Sequence, residues 1–529
     1  MSKAPSQQQI NTFLQYFNKK NYFEAEKLAI TFTKKFPQHS FGWKALAVIF
    51  KNKGKTSDSL KANVRALKID PNDFESHFNL GNTLKALNKL EDSEASYQKA
   101  ISINPNFADA YNNLGIVLRE LNRLDDSEAS YQKAISINPN FADAYSNLGF
   151  TLREKGRLNE SETSYKKAIS INPNFAEAYN NLGFTLRELG KLEDSKNSFN
   201  KAIELKPDYP DAYNNLSLTY LMEGNFKKAY ELSEWRWKTK LKIGNYLKST
   251  KPIWNGENNC SVLVWKEQGI GDEIMYFSII PELRNISKKV IVNCDKRLIP
   301  LFKRSFSESI IFESDREKVN EDNYDAHIPV ASLPFFFRKD TKSFSQTSKG
   351  YLKADSKQTL KFKERLQTNK NTKIVGISWH TESIIQMASF RNILLKDLAI
   401  ALSDSNIKLL NLQYGDVSGD LKDLKEETNI EIVDLAEVDK TNDIDNLSSL
   451  ISACDLVVSI DNFILHLAGS LGKKTKAILP FTADARWGQK IGKSHLYESV
   501  YIYRQHNVGD WSTVLKQLKD YVDNDFIKR

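Results

Sequence analysis

Cysteine is scarce, with three in 529 residues, Cys260, Cys294 and Cys454. They are odd in number and far apart, which excludes a disulfide framework, and no C-x-x-C pair is present for zinc or redox work. No run approaches the ~18 apolar residues that span a bilayer, so no transmembrane segment is expected. The opening MSKAPSQQQ has no apolar stretch of the secretory kind, and the expected compartment is the cytosol. At 27% charged and 40% hydrophobic residues, the chain has the balance of a folded globular protein.

Charge of one sign is also lacking overall. There are 75 Lys/Arg against 66 Asp/Glu, a net +9. Residues 1–68 hold 13 Lys/Arg and 3 Asp/Glu, so the excess sits at one end. The lysines are interleaved in helical patterns with no recognition motif, and no nucleic-acid partner is expected. A solvated basic end cap is the favoured reading of this excess over an anionic partner. Asp443-Ile444-Asp445 has the D-x-D form of metal-dependent transferases, but its place before an apolar helical pattern makes these residues caps. No metal site and no cofactor are expected.

What is present is a period. Pro37, Pro71, Pro105, Pro139, Pro173 and Pro207 recur every 34 residues. Gly81, Gly115, Gly149 and Gly183 keep the same step, as do Tyr111, Tyr145, Tyr179 and Tyr213 and the alanines at 66, 100, 134, 168 and 202. The pattern resembles the tetratricopeptide repeat, and about seven units fill residues 6–243. Each unit is then a pair of antiparallel helices, with Gly allowing close crossing and Pro ending the second helix. Because no unit buries its apolar face alone, the stack shares one core and curls into a superhelix. Asn79, Asn113, Asn147, Asn181 and Asn215 occupy one repeat position and are expected to line a concave groove. There a carboxamide, both donor and acceptor, suits an extended protein or peptide partner. Arg119, Arg153 and Arg187 form a second row one turn further on.

After residue 232 the period ends in Glu234-Trp235-Arg236-Trp237, where the Trp pair is expected to pack the array onto the next domain. Residues 244–258 read as a linker. Strands are then expected at 261–265, 289–293, 309–312, 373–379, 408–412, 430–433, 455–460 and 475–480, with helices at 273–285, 395–403, 445–453 and 462–471. This alternation predicts two doubly wound parallel α/β domains, at 259–355 and 372–529, with a lysine-rich hinge over 353–371. Ligands bind such folds at the carboxyl ends of strands. The polar residues there are Gly271 and Asp272 after the first strand; Thr381 and Arg391 after WH at 379–380; Gln413, Tyr414 and Asp416; and Asp461, Asn462 and His466. Gly269-Ile270-Gly271-Asp272 reads equally as a phosphate loop or as a tight turn with an N-cap.

SIDNFILHLAGSLGKK resembles the C-terminal segment of glycosyltransferase family 9, the ADP-heptose heptosyltransferases, and EQGIGDE resembles their N-terminal loop. With NLQYGD, SLPFFFR and the terminal RQ-x3-GDW, the chain is more similar still to bacterial proteins that join tetratricopeptide repeats to such a domain. The resemblance implies a GT-B fold of two facing Rossmann-like domains, acting as a nucleotide-sugar-dependent glycosyltransferase. Asp272 would be the general base, and Arg391 would neutralise the leaving diphosphate. Gly271, Thr381, Gln413, Tyr414, Asp416, Asp461, Asn462 and His466 would surround the donor. The repeats would recruit a protein or surface-glycan acceptor. The family's Gly after the C-terminal Asp is here Asn462, followed by Phe463, so a heptose donor does not carry over. The layout is also similar to protein O-GlcNAc transferases. The competing reading is an interaction scaffold whose transferase-like domain is inactive, or recognises carbohydrate without catalysis.

Overall fold

The computed structural model describes residues 4–527 apart from 240–245, 346, 368, 370 and 382–390. The chain divides into two compact units, residues 1–185 and 186–529.

The first unit consists of stacked helix pairs of tetratricopeptide type, such as Phe74–Ala86 with Leu90–Ile103 and Ala108–Glu120 with Leu124–Ile137. The periodic residues have direct packing roles. A Cβ on Gly81, Gly115 or Gly149 would meet the ring of Tyr97, Tyr131 or Tyr165 at 2.7, 2.7 and 3.1 Å. Those tyrosines are fully buried, so glycine is what lets the two helices of a pair close on an aromatic ring. The carbonyls of the same glycines accept from Ser93, Ser127 and Ser161 Oγ at 2.8, 2.8 and 2.7 Å, which satisfies polar groups inside the pair.

The second unit begins with repeat helices, Leu192–Leu205, Pro210–Glu223 and Phe226–Ser233, and a 3₁₀ turn at Glu234–Lys238. Eleven strands come next among the described residues: β1 (Ser261–Trp265), β2 (Lys289–Asn293), β3 (Ile310–Glu313), β4 (Ala326–Pro329), β5 (Lys373–Ser378), β6 (Ile407–Asn411), β7 (Ile432–Val433), β8 (Leu456–Ser459), β9 (Thr475–Leu479), β10 (Gly492–Lys493) and β11 (Val500–Arg504). They form two sheets. The first has order β3-β2-β1-β4 and is wholly parallel. The second has order β10-β11-β9-β8-β5-β6-β7, parallel except for the β10 edge. Without that edge, the second sheet's order, counted from its own first strand, is 3-2-1-4-5-6, that of a doubly wound nucleotide-binding fold. The central strands are buried on both faces, as parallel sheets require.

Three expectations need correction. Strands β4, β10 and β11 are absent from the sequence reading, because AHIP is short and ends on a proline, β10 is two residues, and the apolar run of VYIYR is interrupted by tyrosines. The helix expected at 273–285 is broken into Ile270–Tyr276, a 3₁₀ turn Phe277–Ile279, and Ile280–Ile286 with Pro281 in its first turn. The stretch read as a hinge contains the helix Ser356–Leu366, whose Phe362 and Leu366 are buried in a hydrophobic cluster with Leu447, Leu450 and Ile451.

The Trp pair packs as expected. Trp235 stacks on Tyr213 of the last repeat at 3.9 Å and 9°, while Trp237 lies 5.4 Å from Trp265 of β1. Between them Arg236 is buried, paired with Glu267 at 2.8 Å and Glu234 at 2.7 Å and donating to Ser332 Oγ at 2.8 Å. Phe226 packs on Phe344 at 4.9 Å. The last repeats are therefore built into the α/β unit.

Candidate functional site

A cavity of about 440 Å³ collects the carboxyl ends of strands from both sheets. Residues 269–272 reach it from β1, Arg297 from the segment after β2, Thr381 and Arg391 from that after β5, and Tyr414 from β6. Asp461, Asn462, Phe463 and His466 reach it from β8, and Asp484 and Arg486 from β9. Of the candidates named from sequence, Asp272, Gly271, Thr381, Arg391, Tyr414, Asp461, Asn462 and His466 all line it.

Two do not. Gln413 is 1% exposed, and its Oε1 accepts from Ser378 Oγ and the amides of Trp379 and His380 at 2.8, 2.9 and 3.1 Å. It clasps the ends of β5 and β6 from within. Asp416 sits on an exposed turn and accepts from the amide and Oγ of Ser418 at 3.0 and 2.7 Å. Strand-end position placed both correctly along the chain, but side-chain direction did not follow from it.

Asp272 has two engagements. Its Oδ2 accepts from the Gly269 amide at 3.2 Å, so it closes the first turn of Ile270–Tyr276. Its Oδ1 is ion-paired with Arg486 Nη1. Neither Gly269 nor Gly271 lies at positive φ. A Cβ on Gly271 would stand 3.4 Å from His466 Cδ2 and 3.5 Å from Phe463, so this glycine marks the approach of the helices Ile270–Tyr276 and Phe463–Ser470 across the cavity.

Arg486 and Asp484 are the cavity residues that sequence reasoning missed. Arg486 donates through Nε and Nη2 to Asp484 Oδ1 and Oδ2 at 2.9 and 3.1 Å. Burial alone would lower the Arg486 pKa, but Asp272 and Asp484 outweigh it and hold the guanidinium well above its usual value. Burial raises the Asp461 carboxyl, and the neighbouring Asp484 adds to the effect. Asp461 accepts from Trp487 Nε1 at 2.8 Å and from the Asp484 amide at 3.4 Å. The loop after β9 is held from the C-terminal words. Arg504 donates to the Gly488 carbonyl at 2.7 Å, and Gln505 Oε1 accepts from the amides of Phe481 and Gly509 at 3.1 and 3.2 Å. Trp511 donates to the carbonyl of Asn392, next to Arg391, at 3.0 Å. The RQ-x3-GDW motif was therefore the available signal for the loop.

The cations differ in what they already hold. Arg297 is bonded to Asp295 through Nε and Nη2, both at 2.9 Å, and to the Thr441 carbonyl at 2.9 Å, which pins β2's loop to the second sheet. The Arg297 guanidinium holds Asp295 down to about 2. Arg391 makes no hydrogen bond or ion pair among the described residues. Asn462 caps its own helix Phe463–Ser470 through Ile464 N at 3.0 Å, and it donates to Ser378 Oγ at 2.8 Å. His466 is stacked on Trp487 at 5.1 Å with Nδ1 3.0 Å from the Tyr497 hydroxyl. Burial pushes it down to about 3, so it offers a neutral ring and no charge. Asp443 caps the helix Ile444–Ala453 as expected, and Asp445 pairs with Arg304 at 2.5 Å. Among the described residues no group of three or more His, Cys, Asp or Glu is placed to hold a metal, and no helix is long and apolar enough to cross a membrane.

In the repeats, the asparagine row is half-buried and bonded to asparagines at neighbouring positions. Asn113 donates to Asn82 Oδ1 at 2.9 Å, and Asn147 to Asn112 Oδ1 at 2.9 Å; Asn112 in turn donates to Asn113 at 3.1 Å. Asn180 donates to Asn181 at 3.4 Å, and the backbone carbonyls of Asn79 and Asn215 accept from Asn63 and Arg187. Arg119 and Arg153 lie over Phe150 at 4.5 Å each, and Arg153 also over Phe184 at 4.3 Å. Asn113, Asn147, Arg119 and Arg153 thus join repeat to repeat.

Comparison with known proteins agrees with the repeats. Tetratricopeptide-repeat family models match residues 64–95, 81–118, 108–141, 130–163, 151–186 and 185–224. The N-terminal region of this chain carries tetratricopeptide repeats. Among curated proteins, Protein FlbA of Caulobacter vibrioides is 24% identical over 286 residues, covering 50% of this chain and 46% of that protein. The chain thus spans about half the length of this relative. Similar solved structures include MamA, 27% identical over 32% of this chain and 92% of that one with TM-score 0.29. Another is YrrB, described as a tetratricopeptide-repeat protein with an unusual peptide-binding site, at 21% over 35% and 95% with TM-score 0.30.

Proposed function

We propose that the α/β unit is a GT-B-type glycosyltransferase that takes a nucleotide-sugar in the 440 Å³ cavity, and that the repeats recruit its protein or surface-glycan acceptor. The observation that carries this is the convergence of strand ends from two parallel sheets on one cavity. That cavity holds a carboxylate, Asp272, and a cation, Arg391, left unpaired among the described residues. In the reaction, the acceptor hydroxyl oxygen bonds the anomeric carbon and the bond from that carbon to the diphosphate oxygen breaks. The electron pair leaves with the diphosphate, where Arg391 offsets the charge, and the hydroxyl proton passes to Asp272. Tyr414 and Thr381, 3.4 Å apart through their hydroxyls, lie on the side suited to base or ribose. His466, being neutral, contributes shape and a hydrogen bond.

One observation favours the second reading, an inert scaffold. Both Asp272 oxygens are already engaged, by Gly269 and Arg486. Slow hydrolysis of nucleotide-sugars by the full chain separates the two. The transferase reading expects release of nucleoside diphosphate, reduced by ~10²-fold or more in Asp272→Ala. Hydrolysis equal in wild type and variant would favour the scaffold.

A further inference from the structure

The engagement of Asp272 has a second meaning when the walls of the cavity are traced outward. Arg486 and Asp484 also line a smaller cavity of about 270 Å³, together with Asn214, Leu218 and Leu221 of the last repeat and with Gln268 and Tyr276. Arg486 is therefore the partition between two spaces. Its three nitrogens are divided: Nε and Nη2 are fixed on Asp484, and Nη1 alone reaches Asp272. Asp272 and Arg486 are 20% and 17% exposed, so their pairing is accessible to an incoming ligand. The Asp484 fork anchors the guanidinium while leaving one arm for exchange, and the smaller cavity gives that arm room to turn.

We infer that Arg486 is a diphosphate-binding residue and that it releases Asp272 only when a donor is bound. This rests on the donor reading of the larger cavity. A diphosphate presents more charge and more acceptor oxygens than one carboxylate, and a planar guanidinium favours it. On binding, Nη1 passes from Asp272 Oδ1 to a phosphate oxygen. Asp272 keeps its Gly269 bond through Oδ2, which holds the carboxylate in place, and Oδ1 becomes the free oxygen that accepts the acceptor's proton. The base is thus withheld from the empty enzyme, donor binding precedes base activation, and the partition toward the last repeat loosens in the same step.

The test is a double-mutant cycle on the full chain, read as affinity for ADP, GDP, UDP and CDP by calorimetry. Asp272→Asn keeps an oxygen for the Gly269 amide and removes the competitor for Arg486. The expected result is roughly 2- to 5-fold tighter binding of the preferred nucleoside diphosphate, the scale of a partly exposed ion pair. That gain should vanish in the Arg486→Gln background and be absent for the matching nucleoside without phosphates. Arg486→Lys, which keeps the charge but lacks the fork, serves if the Gln variant fails to fold, and it should lose most of the gain. A gain that persists without Arg486, or that the nucleoside shares, would reflect general electrostatics and overturn the latch. Binding with no gain in Asp272→Asn overturns it too, while leaving the donor site standing. Absence of binding by all four nucleotides in every form would sink the donor site and the latch together.

Discussion

The two halves of the molecule use polar side chains in opposite ways. In the repeats, asparagines, serines and arginines recur every 34 residues and meet one another: Asn147 bonds Asn112, Ser127 bonds the Gly115 carbonyl, and Arg153 covers Phe150 and Phe184. Repetition lets each polar group find a partner within its own unit, as Ser127 does, or one unit away, as Asn147 does, so the contacts stiffen the stack. In the α/β unit, the polar residues of the cavity come from segments as far apart as 269 and 486, and no period relates them. Their partners are incomplete among the described residues, as with Arg391, or exchangeable, as with Arg486. Repeated polar residues thus report architecture, and converging unrepeated ones report chemistry.

That contrast can be broken in order of effect. The largest is expected at the cavity's support. Arg504→Met removes the donor to the Gly488 carbonyl and loosens the loop bearing Asp484 and Arg486, which Gln505 and Asp461 still hold. Nucleotide-sugar turnover should fall by at least the ~10²-fold expected for loss of the base itself, while circular dichroism shows the helical repeats intact. Next is Arg236→Met, which strands buried Glu267 and should cost about 3–5 kcal/mol in denaturant unfolding of the α/β unit. Equal stability would show the Trp-Arg-Trp seam to be superficial.

Glycines sharpen the comparison further. Gly115→Ala drives a methyl into the Tyr131 ring and should destabilise the repeats by about 1–3 kcal/mol. Gly269→Ala, with φ −75° and only Asp272 Oδ2 nearby at 3.6 Å, should lie near neutral in thermal unfolding. The reverse order would mean that the loop, not the helix crossing, is where glycine is required.

A pH effect is comparable in size to that of Gly115→Ala. Glu273 is 2% exposed and accepts from the Asp295 amide at 2.8 Å, and burial pushes its carboxyl up to about 7. A folded-state pKa above the unfolded value means its contribution is fully present below the ordinary carboxylate range and is lost as pH rises through about 7. Glu273→Gln should therefore gain on wild type as pH rises from the carboxylate range through about 7, by about 1–3 kcal/mol. A difference that does not change with pH would show that Glu273 ionises freely in the fold.

The period made the repeats readable because each glycine, alanine and tyrosine serves the same crossing in every unit. The buried strands were readable where apolar runs are long, as at β1 and β8, and not where a strand is four residues ending in proline, as at β4. Most of the cavity could be read from strand order, since the fold fixes where strands end. Gln413 and Asp416 show the limit: chain position does not set side-chain direction, and one turned inward while the other capped a turn. Arg486 was hidden because the loop after β9 has no G-x-G of its own, and the motif that signals it, RQ-x3-GDW, begins at Arg504 on another strand.

The central claim is that this cavity receives a nucleotide diphosphate on Arg391. The most direct measurement is the thermal unfolding of the full chain with a panel of nucleotides and nucleotide-sugars, for wild type and Arg391→Ala. A ligand at 100 times its Kd should add ~2.7 kcal/mol to wild type. The account predicts a shift with one base or sugar class that is lost in Arg391→Ala. A shift unchanged in the variant, or none with any donor, would contradict it.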